Sequence, residues 1–115
     1  MKVYGIKNCD TVKKALTWLD KNGIKYEFHD FKKLGISEDK LTEWSDKIGW
    51  EALLNKRGVT WKKLSPEEQS KIISPDAAFK LMSKKTSIIK RPVIESATVL
   101  LNGFDEKTYE EKLLK

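Results

Sequence analysis

The chain has 115 residues, 23 basic and 17 acidic, for a net charge of +6. Apolar types make up 39% and aromatics 10%, enough for the core of one domain and too much for a disordered chain. No stretch approaches the roughly 20 apolar residues of a membrane span, and the opening Met1–Lys7 lacks a signal-peptide apolar run, so a cytoplasmic protein is expected. One Cys and one His exclude an intrachain disulfide and a structural zinc site.

Lys2–Ile6 reads as a short strand. A polar step follows, Lys7-Asn8-Cys9-Asp10-Thr11, and then Val12, Ala15, Leu16 and Leu19 recur at helical spacing. Asp10 or Thr11 is the expected N-cap, and Asn22-Gly23 the helix stop, with Gly23 at C′. Ile24–Phe31 reads as a second strand. From Leu34 to Lys85 the pattern is helical, with starts at Ser37-Glu38-Asp39, Ser65-Pro66-Glu67-Glu68 and Ser74-Pro75-Asp76. Asn55–Trp61 looks like a loop within that block. Ser87–Ile94 reads as strand interrupted by Pro92, which signals an edge, a bulge or a cis bond. Thr98–Leu101 is a further strand. Asn102-Gly103 turns the chain into a terminal helix over Asp105–Leu114.

The order is β-α-β, a helical block, then β-β-α. A Cys at the first strand–helix junction and a Pro entering the third strand describe a thioredoxin-like sheet. The expectation is one domain over residues 1–115, with 34–86 as a helical insertion between the βαβ and ββα halves. A chain of this type is expected to be monomeric.

Cys9 falls at the carboxyl end of a strand, where open α/β sheets place ligands. The thiolate is the reactive form of a cysteine, and a helix N-terminus favours it. Lys7 and Lys13 add positive potential there, and Asp10 opposes it. Among 23 basic residues only two are arginines, Arg57 and Arg91. The guanidinium fork grips carboxylates and oxyanions through two bonds at once, which an ammonium does not. Arg57 lies in the loop-like stretch, and Arg91 directly precedes Pro92. If Pro92 faces the Cys9 junction, Arg91 approaches the thiol. His29 sits on a strand away from that junction and reads as structural, so Cys9 lacks an imidazole partner. Trp18, Trp44, Trp50 and Trp61 are assigned to the core, with Trp61 also able to line the site loop. The lysine pairs read as solvated faces. Without a recognition motif or aromatic platform, direct nucleic-acid binding is not expected.

Tyr4-Gly5-Ile6-Lys7-Asn8-Cys9-Asp10-Thr11-Val12-Lys13-Lys14-Ala15 closely resembles the opening of the arsenate reductase (ArsC)/Spx family, above all its YffB-like branch. The likeness continues through Leu54-Asn55-Lys56-Arg57-Gly58-Val59-Thr60-Trp61, Ile89-Lys90-Arg91-Pro92-Val93 and Leu101-Asn102-Gly103-Phe104-Asp105. These blocks come in family order and span nearly the whole chain. The resemblance implies an α/β fold, a thioredoxin-like mixed four-stranded sheet with a helical insertion. It also implies a catalytic Cys9 and a cis Pro92. In arsenate reductases the Cys attacks arsenate, arginines hold the oxyanion, and glutathione or glutaredoxin resolves the adduct. Arg57 and Arg91 match two of those arginines. The third follows the last strand, a position no arginine fills here.

The YffB-like branch implies a glutathione-dependent thiol reductase, with glutathione as co-substrate and no metal. Cys9 is then the nucleophile, and an external thiol resolves the adduct. Arg57, Arg91, Pro92, Asn8 and Lys7 bind a small thiol or oxyanion substrate. Spx-type members are regulators that bind RNA polymerase, many with a Cys-x-x-Cys switch. Val12 stands where the second Cys would be, so no intramolecular switch forms. The alternative is an Spx-like regulatory module that contacts RNA polymerase without one.

Overall fold

The computed structural model describes residues 1–114. Along the chain run β1 (Lys2–Gly5), α1 (Asp10–Lys21), β2 (Glu27–Asp30), α2 (Phe31–Leu34), α3 (Glu38–Ile48), α4 (Trp50–Leu53) and α5 (Val59–Lys62). They are followed by α6 (Pro66–Ser70), α7 (Pro75–Lys84), a 3-10 turn (Thr86–Ile88), β3 (Val93–Glu95), β4 (Leu100–Asn102) and α8 (Glu106–Leu113). The chain divides into two compact units. A sheet unit joins Met1–Asp30 to the chain from Arg91 on, and a helical unit spans Phe31–Lys90.

The sheet unit is α/β. Its four strands lie in the order β2-β1-β3-β4. β1 runs parallel to β2 and antiparallel to β3, and β3 runs antiparallel to β4, so the sheet is mixed. The parallel pair is joined by α1, the crossover that parallel strands require. Strand alternation sends Val3, Phe28 and Ile94 to one face, where register places them side by side. There they meet Ala15, Trp18 and Leu19 of α1 and Tyr109 of α8, which form the buried core of this unit.

The ends of these elements differ from the sequence pattern for local reasons. The second strand pairs only over Glu27–Asp30. The Ile24 N–H is taken by the Leu19 carbonyl at 3.0 Å, closing α1 behind Gly23 at φ +67°. Phe31 opens α2 and is buried, its ring 6.5 Å from that of Trp44. The third strand begins after Pro92 rather than at Ser87. Proline offers no N–H to a ladder, and Ile89 pairs with Leu54 in an isolated bridge outside the sheet. The fourth strand is Leu100–Asn102, because Ser96 and Val99 close a turn that takes in Thr98.

The helical unit is built from short, capped pieces. Ser37, Ser65 and Ser74 each accept a backbone N–H of the helix they start. Leu41 and Trp44 of α3 and Ala78, Phe79 and Met82 of α7 are buried, and α3 packs on α7. Trp44 and Trp18 are core residues, as expected, whereas Trp50 and Trp61 are only half-buried. The last three residues of the anticipated loop, Val59, Thr60 and Trp61, are ordered in helix α5, where Thr60 Oγ1 bonds Ser87 Oγ at 2.7 Å.

Candidate active site

Cys9 is itself the N-cap of α1, with extended backbone (φ −139°, ψ 123°). The sequence pattern had pointed to Asp10 or Thr11. The Cys9 carbonyl accepts the Lys13 N–H at 2.9 Å, while its thiol makes no capping bond. Cys9 is half-exposed, between exposed Asn8 and Asp10. The first turn of a helix leaves amide N–H groups without intrahelical acceptors, so a group held at Cys9 meets the positive end of α1.

Gly5 fixes how closely α1 approaches the strand it follows. A Cβ at Gly5 would stand 3.0 Å from Val12 Cγ2, and Val12 is fully buried. The last residue of β1 and the first turn of α1 are therefore in direct contact. Lys7, Asn8 and Cys9 are carried on the short segment between them.

Pro92 lies at the same end of the sheet. Tyr4 pairs with Val93, so β3 starts where β1 finishes, with Pro92 just beyond the ladder. The Arg91–Pro92 bond is cis. The Pro92 carbonyl accepts the Gly103 N–H at 2.9 Å, and the Gly103 carbonyl accepts the Tyr109 hydroxyl at 2.6 Å. Burial pushes the Tyr109 hydroxyl well above the ordinary tyrosine range, so it stays a neutral donor. Gly103 turns at φ +81°, a left-handed conformation that suits glycine. Arg91 is half-buried, with its Nε enclosed by protein. One end of the sheet thus carries Lys7, Asn8, Cys9, Arg91 and Pro92.

Arg57 belongs to the helical unit. Asn55 Oδ1 accepts the Arg57 N–H at 3.1 Å, a side-chain turn that shapes the loop. The loop is anchored by a short antiparallel clamp, in which Asn55 N–H reaches the Ile88 carbonyl at 2.8 Å and Lys90 N–H the Leu53 carbonyl at 2.7 Å. The result is a recess of about 350 Å³ lined by Leu54, Asn55, Lys56, Arg57 and Lys90. Three cationic side chains around one recess suit a carboxylate or oxyanion. Lys56 also sits over the Trp61 ring, 5.4 Å from its centroid.

Lys56 and Lys90 were not singled out from the sequence. The paired apolar runs Leu53-Leu54 and Ile88-Ile89, which form the clamp, were the available signal. The His29 ring lies 4.7 Å from that of Tyr4, with which it pairs in register. That fits the structural part expected of it. Among the described residues no three His, Cys, Asp or Glu side chains converge to hold a metal ion. No helix among them is long and apolar enough to cross a membrane.

A mixed sheet with a cysteine capping its first helix and a cis proline before its third strand is the thioredoxin-like arrangement. The ArsC family model matches residues 4–112, and the chain belongs to the ArsC family. It is similar to the solved YFFB protein, at 41% identity and TM-score 0.92 over 97% of both chains. An arsenate reductase (ArsC) related protein from Brucella melitensis is 42% identical at TM-score 0.76, covering 96% of this chain and 92% of that one. An uncharacterized protein of Haemophilus influenzae is 41% identical over 94% of each chain. The global transcriptional regulator Spx of Listeria innocua is 24% identical over 90% of this chain and 79% of its own.

Proposed function

We propose that this chain is a glutathione-dependent thiol reductase in which Cys9 is the nucleophile. The observation that carries the reading is the placement of a half-exposed thiol as the N-cap of α1, at the sheet end shared with Pro92. The Cys9 thiolate attacks the glutathionyl sulfur of a mixed disulfide. A Cys9–glutathione disulfide forms, and the substrate leaves as its thiolate, which takes up a proton. A second glutathione thiolate attacks that disulfide, releasing oxidised glutathione and restoring the Cys9 thiolate. Each turnover thereby consumes one glutathione thiol, and the other half of the oxidised glutathione comes from the substrate disulfide. Cys9 is the chain's only cysteine, so the resolving thiol comes from outside. Lys7, Asn8 and Arg91 hold the incoming anion at this end of the sheet. Arg57, with Lys56 and Lys90, holds a carboxylate or oxyanion in its recess. No arginine follows β4, which favours a thiol substrate over arsenate.

The test is turnover of a glutathionylated peptide with glutathione, coupled to glutathione reductase. Cys9→Ser abolishes turnover with an unchanged melting temperature. Arg57→Ala acts mainly through KM. Turnover retained by Cys9→Ser sinks the reading.

The kinship with Spx supports a second reading, a regulatory module of a cytoplasmic protein that contacts RNA polymerase. Val12 in place of a second cysteine makes that contact independent of an internal redox switch. A polymerase pull-down that survives Cys9→Ser, with no turnover by the unaltered protein, favours it over the enzyme.

A further inference from the structure

On the sheet unit a groove runs along α1. It is open to solvent, offers about 350 Å³ and is lined by Lys13, Lys14, Thr17, Trp18, Lys21, Phe104 and Glu106. Its floor is aromatic. The rings of Trp18 and Phe104 both meet Tyr109 edge-on, with centroids 5.4 Å and 5.0 Å away. Its rim is basic. Lys13, Lys14 and Lys21 are exposed and make no ion pair among the described residues. Glu106 is the one acidic lining residue.

We propose that this groove docks an acidic, extended segment of a partner protein, which inserts one large apolar side chain between the lysines. The volume suits a single aromatic or branched side chain rather than a helix. At about 1.5 Å rise per residue, Lys13 to Lys21 covers roughly 12 Å of helix. An extended peptide covers that distance in about four residues. One apolar anchor in a desolvated pocket, surrounded by charge that steers and orients, is the usual anatomy of a small interface. Nucleic acid fits less well. Trp18 is only 7% exposed and its ring is engaged by Tyr109, so the Trp18 ring offers no open face for a base to stack on. The site is independent of the redox chemistry assigned to Cys9.

The probe is a fluorescein-labelled peptide with one phenylalanine flanked on both sides by glutamates, read by fluorescence anisotropy. Saturable binding is expected, unchanged in Cys9→Ser. Lys14→Glu with Lys21→Glu exchanges two attractions for two repulsions. Exposed pairs are each worth a few tenths of a kcal/mol, so binding weakens about tenfold. Replacing the peptide's phenylalanine with alanine also weakens it, and Glu106→Gln strengthens it. Circular dichroism checks that the variants are folded. Absence of binding, or binding indifferent to the charge reversal or to the phenylalanine, overturns the proposal. So does tighter binding of a polythymidine strand that responds to the same two lysines.

Discussion

The two units hold their chemistry in different ways. In the sheet unit the contacts join residues far apart in sequence. Tyr4 hydroxyl reaches Glu95 Oε1 at 3.1 Å across 91 positions, and β1 lies between strands from both ends of the chain. In the helical unit many side-chain bonds among the described residues are local, between a serine and the helix it starts or between Asn55 and Arg57. Cys9 therefore stands on a junction fixed by strand register, and Arg57 on a loop fixed by one turn and one clamp. A group that must meet a reacting sulfur needs the first kind of support. A group that grips an anion electrostatically tolerates the second.

The harshest way to break the comparison is Trp44→Ala in the helical unit. Trp44 is fully buried on α3, and emptying such a site costs about 3–5 kcal/mol. If the units differ as described, hydrogen exchange speeds up first in α3 and α7, while the β1–β3 ladder keeps more of its protection. Uniform loss of protection would mean one cooperative unit and end the comparison.

A milder change addresses the junction itself. Gly5→Ala puts a methyl 3.0 Å from Val12 Cγ2, so the buried Val12 on α1 must give by a few tenths of an ångström. Overpacking of this kind costs about 1–3 kcal/mol. Turnover should fall through kcat, because the helix that bears Val12 carries Cys9 at its start. Val12→Ala added to Gly5→Ala should restore much of both. Without rescue, the Gly5–Val12 contact does not set the junction.

These two sites also mark how far the sequence could be read. The β-α-β and β-β-α halves follow from strand alternation and from the Asn22-Gly23 and Asn102-Gly103 turns, all of them local signals. Cys9 and Pro92 were legible because each sits at a boundary between elements. The strand ends were not, since they depend on what neighbours take. Ile24 gives its N–H to Leu19, and Phe31 turns toward Trp44. Lys56 and Lys90 stayed hidden among 23 basic residues, because only the clamp between Leu54 and Ile89 brings them to one recess.

Tyr109→Phe sharpens the comparison from the sheet side. It removes the hydroxyl that bonds the Gly103 carbonyl at 2.6 Å, at a cost of about 1–2 kcal/mol. Burial raises the Tyr109 hydroxyl in the folded protein. Its proton is therefore retained where an unfolded tyrosine, ionising near about 10, would lose it. This stability is fully present below that pH and declines as pH rises above it. Urea titrations across alkaline pH should show a shallower decline for Tyr109→Phe than for the unaltered protein. Equal slopes would remove Tyr109 as the cause.

The smallest effect is expected at the start of α6, where support is most local. Ser65 Oγ accepts the Glu68 N–H at 3.1 Å, and Glu68 Oε1 accepts the Ser65 N–H at 2.9 Å. The Ser65 backbone N–H first, and the Ser65 side chain after it, hold the Glu68 carboxyl below the ordinary carboxylate range. Their contribution is present above that range and fades as pH falls through it. Ser65→Ala removes half of the box and costs about 1 kcal/mol. The loss should appear as faster exchange of the α6 amides, with β1–β3 protection and Cys9 turnover unchanged. A change in turnover would show that the helical unit transmits even its local caps to the nucleophile. The contrast between a register-held thiol and a loop-held arginine would then give way to a single coupled site.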